Sequence, residues 1–352
     1  MALFKRTPKP EPAAGQREAI AGFWSWWLGE GRALATGSTT GEVSTDRFAA
    51  AMAAAVHGID PGLSWETAAG TTSQHLLCVS AGGIPELRAI ARRWLIGAPP
   101  ADELWGFADL KLPVTGDLGD RKLRVADRDY RIAEATVDAR VRGSAVDVSI
   151  HHPHFADLTD DERNLVSFLL LDQVLGEEAV ETWIGDISSS PVPALDPVPI
   201  GGLRSVVAGL RADHIDLDGS PKFALLQGVA PNGLPVLVLA RIPLRPATAP
   251  QLDTYVGVAL PYSDQTPEGL PGPGSLDQLR ALEDHVTQRL GGSGEVVAVQ
   301  SHEGMRVLHT YVDGTTPAAE QIRVAVQGWD QGAVQIEARH DPAWSAVRHL
   351  RG

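Results

Sequence analysis

Asp172 is an acid in an apolar helix. It interrupts the run Leu165 to Leu175, where only Ser167 and Gln173 are otherwise polar. At helical spacing it shares a side with Phe168, Leu169 and Leu175. A carboxyl group on that side must be hydrogen-bonded, ion-paired or protonated. Glu177, just beyond Gly176, reaches the same region. Two such carboxyls could act as general acid and base. A buried ion pair or helix cap is the favoured reading, because no cleft is visible around them in sequence. Ser80 follows a strand pattern and precedes Gly82, Gly83 and a helix, the context of a nucleophile elbow. That elbow needs glycine two residues before the serine, and Cys78 stands there. A glycine turn from strand to helix explains Ser80 better.

His151, His152 and His154, with Asp157 nearby, are the densest set of metal-ligand types. Adjacent strand residues point to opposite faces, so His151 and His152 do not readily share an ion. Pro153 marks a strand end, and the segment reads as a solvated loop. Asp213, Asp216, Asp218 and Gly219 have part of a calcium-loop spacing, but His214 and Leu225 occupy its first and twelfth positions. No metal is expected. Gly272-Pro273-Gly274 follows a loop and lacks the third glycine of a dinucleotide fingerprint, and there is no Walker motif. No cofactor is expected either. Cys78, the one cysteine, excludes an intramolecular disulfide and reads as a buried, inert thiol.

Composition narrows the partners. Lys plus Arg is 30 against 44 Asp plus Glu, a net charge of −14 over 352 residues. Broad binding to nucleic-acid phosphates or to an anionic membrane requires clustered cations and is not expected. No apolar run reaches the roughly 18 residues of a membrane span. The first residues are proline-rich and basic without an apolar core to follow, unlike a signal peptide. The expected compartment is the cytoplasm. The partner is unassigned, and another protein is one candidate.

The elements that must position these residues follow a simple rhythm. Ile20, Phe23, Trp24, Trp27 and Leu28 mark one face of a helix, so the tryptophans read as core. Gly37 to Gly41 reads as a flexible link before an alanine-rich helix at Thr45 to Val56. Strands at 63–68 and 75–80, a helix opened by Pro85, and a strand at 104–110 come next. Strand patterns at 123–125, 130–132, 134–142 and 145–151 lead to the central helix, whose start carries the capping-box pair Thr159 and Glu162. Four prolines between Ser188 and Pro199 mark a boundary. Beyond it, hairpin patterns flank Pro231-Asn232-Gly233 and Glu303-Gly304, with helices at 276–290 and 317–327. The expected fold class is α+β, two domains of antiparallel sheet with helices on one face. The expected division is a flexible tail at 1–16, a domain at 17–188, a proline-rich linker with a short helix at 189–222, and a second domain at 223–352.

The second domain carries a resemblance. Leu282-Glu283-Asp284-His285, the hairpin with Glu303-Gly304-Met305-Arg306 and Tyr311-Val312, and the ending Asp341-Pro342-Ala343-Trp344-Ser345 together resemble a bacterial domain-of-unknown-function family, number 695. The resemblance covers about 223–350, with Asp-Pro-x-Trp its most specific part. The N-terminal half, through Leu171 to Glu177, is similar to regions found beside such domains. The resemblance implies a fold and a bacterial origin and supplies no catalytic residues. Within this domain, Arg306 and Asp341 are expected to form a clamp that pins the C-terminus, with Trp344 packed as a plug. Ligand binding by these three is the lesser reading.

Two function classes follow. One is a non-catalytic cytoplasmic binding or regulatory protein. The other is a hydrolase-type enzyme using Asp172 and Glu177, or Ser80. The missing catalytic signatures favour the first.

Overall fold

The computed structural model describes residues 13–351, so all but four residues of the expected tail lie outside it. In chain order the elements begin with helices α1 (Ala13–Trp26), α2 (Arg32–Thr40) and α3 (Thr45–His57), a π-helical turn at Trp27–Gly31 joining the first two. There follow β1 (Ser64–Ala69), β2 (His75–Ser80), α4 (Arg88–Ile96), β3 (Trp105–Ala108), β4 (Lys122–Val125), β5 (Arg128–Arg131), β6 (Thr136–Arg142) and β7 (Ala145–His151). Then come α5 (Asp160–Leu175), α6 (Glu177–Trp183), β8 (Ile184–Ser189), β9 (Val198–Pro199) and α7 (Leu203–His214). The last third holds β10 (Lys222–Val229), β11 (Pro235–Ile242), β12 (Thr254–Pro261), α8 (Pro273–Leu290), β13 (Gly294–His302), β14 (Met305–Val312), α9 (Ala318–Ala325) and β15 (Gln335–His340). The fold is α+β, and its sheets are mostly antiparallel.

The chain forms two compact units, each discontinuous in sequence. Unit 1 gathers 13–66, 79–100 and 223–351, and unit 2 gathers 67–78 and 101–222. Residues 17–188 therefore contribute to both.

Unit 1 is built on a six-stranded sheet in the order β10-β11-β13-β14-β12-β15. Alternation along β12 gives the sheet two different faces. Val256, Val258 and Leu260 pack with Leu279 and Val286 of α8 and Ile322 of α9. Tyr255 instead packs with Tyr311, Val297, Trp344 and Val347. Helices cover one face, and the C-terminal turn covers the other. In the N-terminal part, Trp24 stacks on Trp94 with centroids 4.7 Å apart, and its indole N–H donates to the Trp94 carbonyl at 2.8 Å. The tryptophans of α1 thus fix α4. Residues 37–40, expected as a flexible link, continue α2, because left-handed Gly41 (φ 81°) ends the helix only after Thr40.

Unit 2 is organised around α5. The capping box at Thr159 and Glu162 is formed, and Val166, Leu170, Leu171 and Val174 are fully enclosed. Leu165 and Phe168 are exposed, so the first turns of the helix are covered on one side only. The sheet runs β8-β7-β6-β9, with β7 and β8 parallel. β2 and β3 are parallel as well. These two pairs are exceptions to the antiparallel sheets expected: each pair is separated in sequence by a helical segment, and a helical crossover returns a strand in the same direction.

The segment expected as a linker is partly core, since Ile200, Leu203, Val207 and Leu210 pack into unit 2. Two stretches of it are exposed, one before β9 with Val192 and Leu195 and one after α7 with Leu217. Limited thermolysin digestion is expected to cut first at the Ala194–Leu195 bond, and the pieces should stay associated on a sizing column, because the buried residues of α7 still hold them together. A first cut within 45–57 would contradict this.

Candidate functional site

Strand register brings three aspartates to one end of the unit 1 sheet. Thr254 of β12 lies opposite Val312 of β14 on one side and His340 of β15 on the other. Asp313, Asp253 and Asp341 are the adjoining residues on these neighbouring strands, and Asp341 N–H donates to the Asp253 carbonyl at 2.7 Å.

Asp253 and Asp313 receive Arg93 from α4. The guanidinium Nη2 lies 2.8 Å from both Asp253 Oδ2 and Asp313 Oδ1, with the side chains only 8%, 7% and 15% exposed. Nε donates to Asp313, Nη1 to Gln16 Oε1 and Nη2 also to the Gln251 carbonyl, each at 3.0 Å. The loop after β14 closes on the same aspartates. Thr315 N–H and hydroxyl donate to Asp313 Oδ1, while Gly314 N–H and the Thr254 hydroxyl donate to Asp253 Oδ1. A methyl at Gly314 would lie 2.4 Å from Thr254 Oγ1, so glycine permits this approach.

A cleft of about 290 Å³ opens beside this knot, with Arg93, Asp253, Thr254 and Thr315 in its wall. Asp60, Glu86 and His340 line it as well. Asp60 Oδ1 accepts from Gly62 N–H at 2.8 Å. Glu86 is exposed and has no ion pair or hydrogen bond among the described residues.

Asp341 faces a different set of partners. It accepts the Tyr311 hydroxyl at 2.7 Å and the backbone N–H groups of Ser345 and Ala346 at 2.9 Å. Burial alone would raise its carboxyl, but those hydrogen bonds outweigh burial and hold it below the ordinary range. Trp344 is fully buried, stacks on Tyr311 at 4.5 Å and donates to the Leu252 carbonyl, as a plug should. The expected clamp between Arg306 and Asp341 is not formed. Arg306 lies opposite Leu260, at the far end of β12 from Asp253, and seven residues of strand span roughly 24 Å. It pairs instead with Glu283 at 2.7 Å and with Ser301.

Residues 233–349 match the model of a family of unknown function, DUF695. No curated protein and no solved structure matches the chain. The DUF695 segment supplies Asp253, Thr254, Asp313, Thr315, His340 and Asp341. Gln16, Asp60, Glu86 and Arg93 come from outside it, so the cleft is completed by the N-terminal part of unit 1.

Asp172 and Glu177 also lie outside the DUF695 segment, in unit 2, and both are buried. Gly176 (φ 80°) separates α5 from α6, and a Cβ there would come 2.6 Å from Pro113 Cδ. Glycine therefore lets the loop segment at 111–114 pack on the junction. Glu177 Oε2 accepts the Lys111 N–H at 3.1 Å, and Val114 N–H donates to the Gln173 carbonyl. The partner expected for Asp172 is missing, since its buried Oδ1 has no hydrogen bond among the described residues. Burial first, and then the Glu177 charge, push its carboxyl up to about 7, with Lys111 opposing. It is 6% exposed.

The remaining sequence candidates are not assembled for chemistry. Ser80 Oγ accepts from Gly82 N–H, and no histidine or carboxylate bonds to it among the described residues. His152, expected in a solvated loop, is fully buried. It joins the Arg131 carbonyl to His154 N–H, and burial keeps it neutral by lowering its pKa. It is the N-cap of the turn Pro153–Asp157. Cys78 is buried. Among the described residues no group of three His, Cys, Asp or Glu side chains is placed to hold a metal ion.

Proposed function

We propose that this is a non-catalytic binding or regulatory protein of the bacterial cytoplasm, and that the cleft beside Arg93 is its ligand site. The observation that carries the reading is the construction of the cleft wall. Arg93, Asp253, Thr254 and Thr315 are all more than nine-tenths buried and tied into one network, Thr315 through Asp313, so the polar groups facing the cleft are held in place before any ligand arrives. Pre-ordered polar groups in a concave wall are what selective small-ligand binding requires. The single buried cysteine and the acidic surface support an intracellular setting. No described helix is long and apolar enough to cross a membrane.

The test is ligand-observed NMR on the full chain with a mixture of cationic, neutral and anionic molecules of about 5–10 heavy atoms, sized for a cleft at the small end of known sites. At least one probe should bind the wild type and lose its signal in Glu86→Trp, where an exposed rim residue becomes large enough to fill the mouth. Absence of any binder, or binding indifferent to Glu86→Trp, would remove the cleft from consideration.

A second reading, acid–base catalysis, is favoured by Asp172 alone. A carboxyl titrating near 7 can both give and take a proton at neutral pH.

A further inference from the structure

The hydrogens of the cleft wall are directed inward, and this decides what the cleft can recognise. The Thr254 hydroxyl donates to Asp253 Oδ1 and the Thr315 hydroxyl donates to Asp313 Oδ1. Each oxygen has its lone pairs left over and no proton to offer. Asp60 uses one carboxylate oxygen on Gly62 N–H, and Glu86 uses neither among the described residues. Against these the wall offers the amide N–H₂ of Gln16, whose Oε1 is taken by Arg93, and the His340 ring, so acceptors are in surplus through the two carboxylates. Of the five guanidinium N–H groups of Arg93, four are taken up by Asp253, Asp313, Gln16 and the Gln251 carbonyl.

Charge points the same way. Among the described residues the buried cation in the wall is Arg93, and it faces two carboxylates, Asp253 and Asp313. Asp60 and Glu86 add two more negative charges with no cation paired to either among the described residues, in a chain of net charge −14. A neutral hydroxyl ligand would leave those carboxylates uncompensated, and an anion would be repelled by them. A ligand rich in N–H donors and positively charged answers both the acceptor surplus and the charge surplus. The sheet end already holds one such group, the guanidinium of Arg93.

Resting on the reading of this cleft as the ligand site, we propose that it takes a small organic cation, a primary ammonium or guanidinium compound. Asp60 and Glu86 meet the cationic head, and Thr254 and Thr315 accept its remaining N–H groups. A volume of about 290 Å³ suits a molecule of a few heavy atoms and excludes a folded peptide segment.

Isothermal titration of the full chain with three compounds of matched length separates the possibilities: 1,4-diaminobutane, 1,4-butanediol and succinate. The diamine should bind, and the diol and the diacid should not. Affinity should fall about tenfold in the double variant Asp60→Asn, Glu86→Gln, and it should weaken as salt is raised, since both carboxylates are near solvent. If the diol or succinate binds and Glu86→Trp abolishes it, the cleft is a ligand site and the cation assignment is overturned. If the diamine binds equally well to the double variant, Asp60 and Glu86 are not its receptors and the proposal fails. If none of the three binds and no probe in the wider NMR mixture does, the ligand site itself is lost together with its ligand class.

Discussion

Replacing Arg93 with alanine is expected to destabilise the folded chain by about 3–5 kcal/mol, because two carboxylates would remain in place with their cation removed. Asp253 is almost fully enclosed, and Asp313 is nearly so. The Gln251 carbonyl and Gln16 Oε1 lose a donor in the same step. Arg93→Lys keeps the charge and should still cost about 1–3 kcal/mol, since a single ammonium cannot reproduce a planar fork that reaches both aspartates, Gln16 and Gln251. Adding Asp253→Asn and Asp313→Asn to Arg93→Ala should recover part of the loss, which separates the cost of orphaned charge from that of lost packing. Seven of the nine tryptophans belong to unit 1, so urea melts followed by tryptophan emission report chiefly on the unit concerned. The difference from wild type should change little with added salt, because the pair is shielded from solvent. A loss below about 1 kcal/mol would place this pair with exposed ion pairs and contradict the burial described above.

That knot was illegible in the sequence for a physical reason. Arg93 lies 160 positions from Asp253 and 220 from Asp313. The two aspartates become neighbours only because β14 and β12 pair, and strand order in the sheet is not strand order in the chain. Local patterns carry no information about such pairing. Where the determinants are local, the reading was direct. The capping box at Thr159, the turn before β11 and the aromatic stripe of α1 each depend on residues within a few positions. The C-terminal turn shows both cases. Trp344 could be assigned as a plug because a large aromatic near an Asp-Pro turn has few other uses. Its neighbour Asp341 was matched with Arg306, which register places at the opposite end of the strands. The compact units show the same limit. The proline-rich stretch reads as a domain boundary, but Ile200, Leu203 and Val207 just beyond it are core of unit 2, and their apolar spacing is that of any short helix.

Asp172→Asn should raise stability at pH 8 and leave it nearly unchanged at pH 5. Its carboxyl titrates at about 7 in the folded chain, against an ordinary value of 3.8. Below about pH 4 both folded and unfolded chains carry the proton, so the group has no net effect. Between about pH 4 and 7 the unfolded chain has released the proton and the folded chain has kept it. Stability therefore falls as pH rises through this window, by up to the equivalent of 7 − 3.8, on the order of 4 kcal/mol. Above about 7 the cost is complete and constant. Asparagine has nearly the shape of the protonated acid and never ionises, so it should remove this slope. The gain at pH 8 should be about 2 kcal/mol, smaller than the full cost because an amide N–H₂ is left without an assured partner. Glu177→Gln should also flatten the slope, less strongly, since the Glu177 charge is the second cause of the shift and burial the first. Melts of wild type and both variants from pH 5 to 9, with a direct NMR titration of the Asp172 carboxyl, measure each of these quantities. A fall in stability for Asp172→Asn at pH 8 would mean that an ionised Asp172 has a partner and is a structural acid. A rise would mean that the fold carries this carboxyl at a cost, as enzymes do with groups kept for proton transfer, and would move acid–base chemistry at the α5–α6 junction ahead of a purely binding role.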